Sequence, residues 1–370
     1  MQLRRSLPVK ESKSNGAVTT EVQAYVGGES NAAGVNRIVR LASNENPLGC
    51  SPRAREAYLG LADELHRYPD GGATALRRTL AKVHGLNESQ IVCGAGSDEL
   101  IALLVRAYAG EGDEVLYSRH GFLMYDIAAR TAGARPVQAP EKNLRADVDA
   151  LLEAVTPRTR ILFLANPNNP TGSYLESAEI ERLQAGLPSE CLLVIDAAYA
   201  EYVDAEAYES GARLVERHEN VVMTRTFSKI YGLAALRLGW AYCPPAVADV
   251  LHRVRGPFNV SQAAQAAGIA ALEDQAFVEE SRRSNNEVRA WSTDAFTTLG
   301  LTVYPSQGNF LLVEFPGTSG KTAGEAIEAL KNRGVLLRGM ASYGLPACVR
   351  VTVGSREEME ITRDAIAEFL

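Results

Sequence analysis

The sequence predicts an α/β fold: a mostly parallel sheet covered by helices, followed by a smaller α+β unit. Three observations predict it. From about Pro47 onward, short apolar runs alternate with amphipathic stretches at a spacing that suits βαβ units. After a long helical region at 261–299 that alternation stops, and isolated strand and helix patterns follow. With 370 residues, 46% hydrophobic and 22% charged, the chain can bury one large core and a second, smaller one.

Residues 1–16 are polar and aperiodic, the composition of a mobile arm. The runs Ile91-Val92-Cys93, Glu114-Val115-Leu116-Tyr117, Ile161-Leu162-Phe163-Leu164, Leu192-Leu193-Val194-Ile195 and Val221-Val222-Met223 predict buried strands. Helical patterns at 99–109 and 177–185 lie between them. The region 261–299 predicts helix with a break near Glu273-Asp274. Beyond it, 309–313 and 349–353 predict strands, and 322–333 and 357–370 predict helices. No Pro/Gly-rich linker separates the two parts, so the boundary near residue 275 is soft.

Composition narrows the function. A net charge of −7, with Arg4-Arg5 as the only terminal basic cluster, gives no reason to expect nucleic acid. No apolar run approaches the ~20 residues that span a bilayer. Leu7, Pro8 and Val9 lead straight into Lys10-Glu11-Ser12-Lys13, so no apolar signal core is expected. Five scattered cysteines predict reduced thiols and a cytoplasmic location. The isolated cysteines and histidines suggest no metal site.

Four features fall in order on the strand–loop segments. Cys93-Gly94-Ala95-Gly96-Ser97-Asp98-Glu99 runs from an apolar strand through a small-residue turn into a helix. Such a turn can aim backbone N–H groups at a phosphate, although taken alone the motif reads first as a tight βα turn. Asn166-Pro167-Asn168-Asn169-Pro170-Thr171-Gly172 is a rigid loop at the carboxyl end of a buried strand, where open α/β sheets bind ligands. Asp196 ends the strand 192–195; a carboxylate there needs a cation, a salt bridge or a helix to cap. Lys229, in Thr226-Phe227-Ser228-Lys229, lies among Phe227, Ile230, Tyr231 and Leu233, which would desolvate an amine and favour its neutral, nucleophilic form. Together they supply a phosphate cradle, a donor to a phenolic oxygen, an acid for a ring nitrogen and an amine for an aldehyde. Pyridoxal 5'-phosphate needs all four.

The segment 226–239, with its Lys229, Gly232 and Arg237-Leu238-Gly239, resembles the fold-type-I aminotransferases of class I/II, as does the loop 166–172. Within them the chain is most similar to the histidinol-phosphate aminotransferases, through Asn44-Glu45-Asn46-Pro47, Arg67-Tyr68-Pro69-Asp70 and the stretch 345–354. The resemblance runs from about Tyr25 to the C-terminus. It implies a large domain at 47–275 around a mostly parallel seven-stranded sheet. A small α+β domain would follow at 276–370, with 17–46 packing against it.

The resemblance also implies roles. Lys229 would hold the cofactor as a Schiff base and shuttle the proton. Asp196 would pair with the ring nitrogen, while Tyr199 and Asn166 contact the phenolic oxygen. Phe122 takes the place of the aromatic ring that stacks on the cofactor, where many relatives have tyrosine. Gly96, Ser97 and Asp98, with Ser228 and Arg237, would hold the phosphate, with Tyr68 reaching it from the neighbouring subunit of a homodimer, and Thr226 belongs to the same cofactor-binding set. Ala235 departs from the family, which often has glycine there. Arg350 resembles the arginine that grips the substrate's anionic end, and Arg338 one associated with a substrate phosphate; the plain alternative for each is a surface charge, for Arg338 as readily as function. Tyr25 and Asn46 complete the implied substrate set. Two arginines fit histidinol phosphate as donor and 2-oxoglutarate as acceptor. Transfer from phenylalanine or tyrosine is the near alternative, and decarboxylation of a phosphorylated amino acid a more distant one.

Overall fold

The computed structural model describes residues 22, 24–31, 34–35 and 37–370. The arm expected at 1–16 lies outside the described residues. A seven-stranded sheet runs in the order Ile91–Gly94, Gly239–Tyr242, Val221–Thr226, Leu192–Asp196, Thr159–Ala165, Glu114–Ser118, Arg135–Ala139. All are parallel except Gly239–Tyr242, which is antiparallel to both neighbours. Five strands coincide with the runs expected from sequence. Arg135–Ala139 was not foreseen, because it is a half-exposed edge strand containing Pro136, which only an edge tolerates. Gly239–Tyr242 is four residues long and directly follows the lysine loop, too short to stand out.

The central strands are apolar throughout because both faces are covered. On one face Ser97–Tyr108, Met124–Thr131 and Pro245–Val254 close a core of Leu100, Leu104, Phe163, Val194 and Ala241. On the other, Leu76, Leu162, Leu193, Trp240, Ala267 and Leu272 pack together. The helical region at 261–299 is two helices, Gln262–Glu273 and Gln275–Thr298. Asp274 interrupts them: its side chain accepts from Phe277 N at the new helix start and from Ser51 Oγ at 2.5 Å. Among the described residues no helix is long and apolar enough to cross a membrane.

A second sheet, wholly antiparallel, has the order Thr302–Tyr304, Phe310–Glu314, Cys348–Thr352, Arg338–Gly339. Helices Ala323–Lys331 and Arg356–Phe369 cover it, each begun by a capping box, Thr322 with Glu325 and Ser355 with Glu358. Its core joins Leu311, Val313, Val351, Met359 and Ile366 to Val39 and Leu41. Val39–Arg40 pairs in parallel with Val335–Leu336, which ties the early chain to this unit. Arg338 is directly opposite Arg350 in register, so both side chains rise from one face.

The loop after Val221–Thr226 is folded back on itself. Leu233 N donates to Phe227 O and Gly232 N to Lys229 O, both at 3.0 Å. Gly232 has φ +65, and a Cβ there would lie 1.9 Å from the Gly49 carbonyl oxygen. Backbone cannot yield as a side-chain tip can. Gly232→Ala is expected to cost at least about 2 kcal/mol of stability, read as a lowered midpoint in chemical denaturation.

Candidate active site

The parallel strands end their carboxyl tips along one edge, and Asp196, Thr226 and the loop from Asn166 all emerge there. They border a cavity of about 220 Å³. A second, larger cavity of about 840 Å³ adjoins it, sharing Tyr25, Gly27 and Gly28 and reaching Arg338 and Tyr343.

Asp196 is buried at the cavity wall. Tyr125 Oη donates to its Oδ2 at 2.8 Å and Thr224 Oγ1 to its Oδ1 at 3.4 Å. No cation pairs with it among the described residues. Burial raises its pKa to about 6, the Tyr125 bond working the other way and the charge of Asp98 adding to the rise. Tyr125 is held by Phe163, stacked at 4.5 Å and 3°. Neither Tyr125 nor Thr224 was singled out from sequence; both hide in apolar-looking segments.

Lys229 is half-buried, and its Nζ donates to Ser43 O at 3.0 Å. Burial, then the charge of Arg350, lowers its pKa to about 8. Its ammonium lies 5.9 Å from the centre of the Tyr199 ring. Tyr199 is buried against Phe310, edge to face at 5.1 Å, and Asn44 Nδ2 donates to its hydroxyl at 2.9 Å.

At one end of the cavity Gly96 precedes the helix Ser97–Tyr108 with φ +85, a conformation glycine adopts freely. A Cβ there would meet Arg237 Nη2 at 2.6 Å, so the bare backbone lets the guanidinium lie across the helix start. Arg237 donates to Ser228 Oγ and to Asp98 Oδ2, both at 3.1 Å. Thr226 Oγ1 accepts from Ser228 N at 3.1 Å and fixes that turn. Helix N–H groups, hydroxyls and a guanidinium converge here as an anion cradle. Phe122 also faces the cavity, edge-on to Tyr25 at 6.4 Å and to Tyr125 at 5.9 Å.

Arg350 stands at the opposite wall, buried, with Nη1 to Asn169 Oδ1 at 2.5 Å and Nη2 to Ala42 O at 2.8 Å. Its Nε has no partner and no carboxylate neutralises it among the described residues. Burial lowers its pKa. A buried guanidinium with an idle donor can take an anion. Arg338 lies beside it, half-buried, with Nη2 on Val26 O at 2.5 Å and its guanidinium 5.7 Å from the Tyr25 ring.

Three expected residues stand elsewhere. Asn166 does not face the cavity: its amide is closed on Leu175, accepting from N at 2.7 Å and donating to O at 3.1 Å. The loop presents Asn169 to the cavity instead. Asn46 is likewise spent on the scaffold, donating to Ile230 O at 2.7 Å and Ser281 Oγ at 3.0 Å while accepting from Leu48 N. Tyr68 stands away from its own chain's site, as a residue expected to reach the neighbouring subunit's cofactor would: it is 82% exposed, stacked on Phe258 at 4.7 Å, and borders neither cavity.

The sequence pattern of the family described as aminotransferase class I and II matches residues 36–366. The chain belongs to that family. This aminotransferase is 60% identical over 350 residues to the histidinol-phosphate aminotransferase of Rhodospirillum centenum, across 95% of this chain and 96% of that one. It is 56% identical to the protein of the same name from Paramagnetospirillum magneticum, with the same coverage. The crystal structure of histidinol-phosphate aminotransferase from Sinorhizobium meliloti in complex with pyridoxal-5'-phosphate matches with a TM-score of 0.87 at 28% identity, over 97% of each chain.

The raised pKa of Asp196 has a stability consequence. In the ligand-free aminotransferase, the unfolded chain releases this proton at ordinary carboxylate pH and the folded chain only near 6. Stability from this group is therefore lost as pH rises between those values. Asp196→Asn is expected to raise the denaturation midpoint of the ligand-free protein at pH 8, by on the order of 3 kcal/mol at most, and to give no gain below pH 4.

Proposed function

We propose that this aminotransferase moves the amino group of L-histidinol phosphate to 2-oxoglutarate, giving imidazole-acetol phosphate and L-glutamate in histidine biosynthesis. Pyridoxal 5'-phosphate is its cofactor. The carrying observation is the pair Arg350 and Arg338, opposite in register, Arg350 on Lys229's cavity and Arg338 on the larger cavity that adjoins it. The relatives at 60% and 56% identity support the same donor.

The residues present fit the cofactor. Asp196 is a buried carboxylate wanting a cation, and the Gly96–Asp98 turn with Ser228, Thr226 and Arg237 is a cradle that a Cβ would fill. When bound, the cofactor supplies an aldehyde for amines and a protonated ring that draws electrons from the substrate's Cα. Asp196 keeps its charge against that ring nitrogen. Tyr199 and Asn169, which line the cavity, would be the donors for the phenolic oxygen, Asn169 in place of Asn166, and Phe122 would flank the ring. Lys229, with a pKa near 8, is close enough to neutral to act as nucleophile and then to take the Cα proton on Nζ. Arg350 holds the carboxylate of glutamate or 2-oxoglutarate. Arg338, with Tyr25, holds the phosphate of the donor. The two half-reactions alternate in one site.

A homodimer completes this reading. Tyr68 and Phe258, stacked on each other, are large apolar side chains left exposed, suited to a second copy that would bring Tyr68 to its partner's cofactor phosphate. Residues 47–275 and 276–370 act as large and small domains, and the strand Val39–Arg40 before them belongs to the latter. The five unpaired cysteines support a cytoplasmic location.

The test titrates the cofactor-loaded protein separately with histidinol phosphate, phenylalanine and glutamate, following the cofactor's absorbance. Conversion by histidinol phosphate at far lower concentration than phenylalanine is expected; equal or better conversion by phenylalanine would move the enzyme to aromatic donors. Lys229→Ala is expected to abolish turnover. Arg338→Ala is expected to raise KM for histidinol phosphate roughly ten-fold or more, leaving the glutamate half-reaction near wild type in stopped-flow assays.

A further inference from the structure

We propose, resting on the reaction read above, that Asn44 is a positioning residue that turns the hydroxyl proton of Tyr199 into the cavity. The geometry fixes each donor in sequence. Asn44 N donates to Thr352 Oγ1 at 2.9 Å. A hydroxyl carries one proton, and a backbone N–H can only donate, so Thr352 is the acceptor there and its own proton is free. That proton goes to Asn44 Oδ1 at 3.1 Å. With Oδ1 taking that proton, Nδ2 faces Tyr199 Oη at 2.9 Å; turned over, the amide would leave the buried Thr352 hydroxyl with no acceptor among the described residues. An amide nitrogen donates and does not accept, so the Tyr199 oxygen receives a proton from Asn44 and must point its own elsewhere. Among the described residues that hydroxyl proton finds no acceptor, although Tyr199 is buried and borders the cavity with Lys229. A ligand oxygen is what remains to take it.

Asn44 suits this task. Its φ is +56, a conformation that asparagine tolerates better than most residues. It is buried, and Asn309 Nδ2 pins its carbonyl at 3.0 Å. Thr352 lies two positions beyond Arg350 on one strand, and Arg350 grips Ala42 O two positions before Asn44. The same pair of segments therefore carries the anion-binding guanidinium and the directing amide.

The experiment follows the pH dependence of the bound cofactor's absorption, besides turnover. A hydrogen bond to the cofactor's phenolic oxygen stabilises its anionic form, so losing it raises the pH midpoint at which the Lys229 link gives up its proton. Asn44→Gly removes the amide without straining a positive φ. It is expected to raise the midpoint by about one pH unit, as is Tyr199→Phe. Asn44→Asp, whose carboxylate accepts from both hydroxyls, is expected to shift it the same way. In the Tyr199→Phe background Asn44→Gly is expected to add nothing. An unchanged midpoint in both Asn44 variants, whether or not thermal stability falls, would overturn the proposal, as would a full further shift in the double variant. Should Asn44→Gly not fold, Thr352→Val releases the same amide, and an unchanged midpoint there overturns it equally. A wild-type protein that takes up no pyridoxal 5'-phosphate would instead overturn the reading of the reaction.

Discussion

Ionising Asp196 where it sits costs free energy, because burial removes more water than the hydrogen bonds of Tyr125, Thr224 and the Ala198 backbone make good. The rest of the fold is arranged around that cost. The central strand Leu192–Asp196 must deliver the carboxylate to the sheet edge, so four apolar residues precede it and neighbours on both sides are parallel. Phe163 on the adjacent strand stacks on Tyr125 and keeps its hydroxyl on target. The loop after the next strand must then bring Lys229 back over the same edge, which Gly232 permits by lying against the Gly49 carbonyl. Stability is given up locally, and a cation in the gap would recover it, as the proposed reading of the site requires.

Arg350 is the same argument with the sign reversed. It is a buried cation held by a carbonyl and an amide oxygen but by no carboxylate among the described residues, with Nε idle. The two unmatched charges lie on different sheets and face one cavity. A ligand carrying both a positive ring and a negative end would relieve both at once, and the low-dielectric setting makes each interaction stronger than it would be in water.

Much of this was legible in the sequence where local chemistry and position coincide. Apolar runs ending in Asp196 or leading to Lys229 declared themselves, since a buried strand tolerates such residues only for a reason. The break at Asp274 was visible as an acidic pair inside a helical pattern. Side-chain direction within a loop was not legible. Asn166 and Asn169 share one proline-rich loop and the same chemistry, and only the tertiary course sends one to Leu175 and the other to the cavity. Asn46 has the same composition-level signature as Asn44, yet one braces a helix and the other meets Tyr199. Tyr125 looks like core, and it is core, with a hydroxyl that happens to reach Asp196. The edge strand Arg135–Ala139 was hidden by its proline and its half-exposed face.

The register that sets Arg338 opposite Arg350 makes the small sheet a caliper. Adjacent strands sit about 4.8 Å apart, and hydrogen bonding along the ladder does not let that gap stretch. The anchor points of the two guanidinium groups are thus held at one separation. For a donor gripped as proposed, discrimination by length would be written into backbone geometry, and the side chains would decide only which kind of negative group each jaw of the caliper accepts.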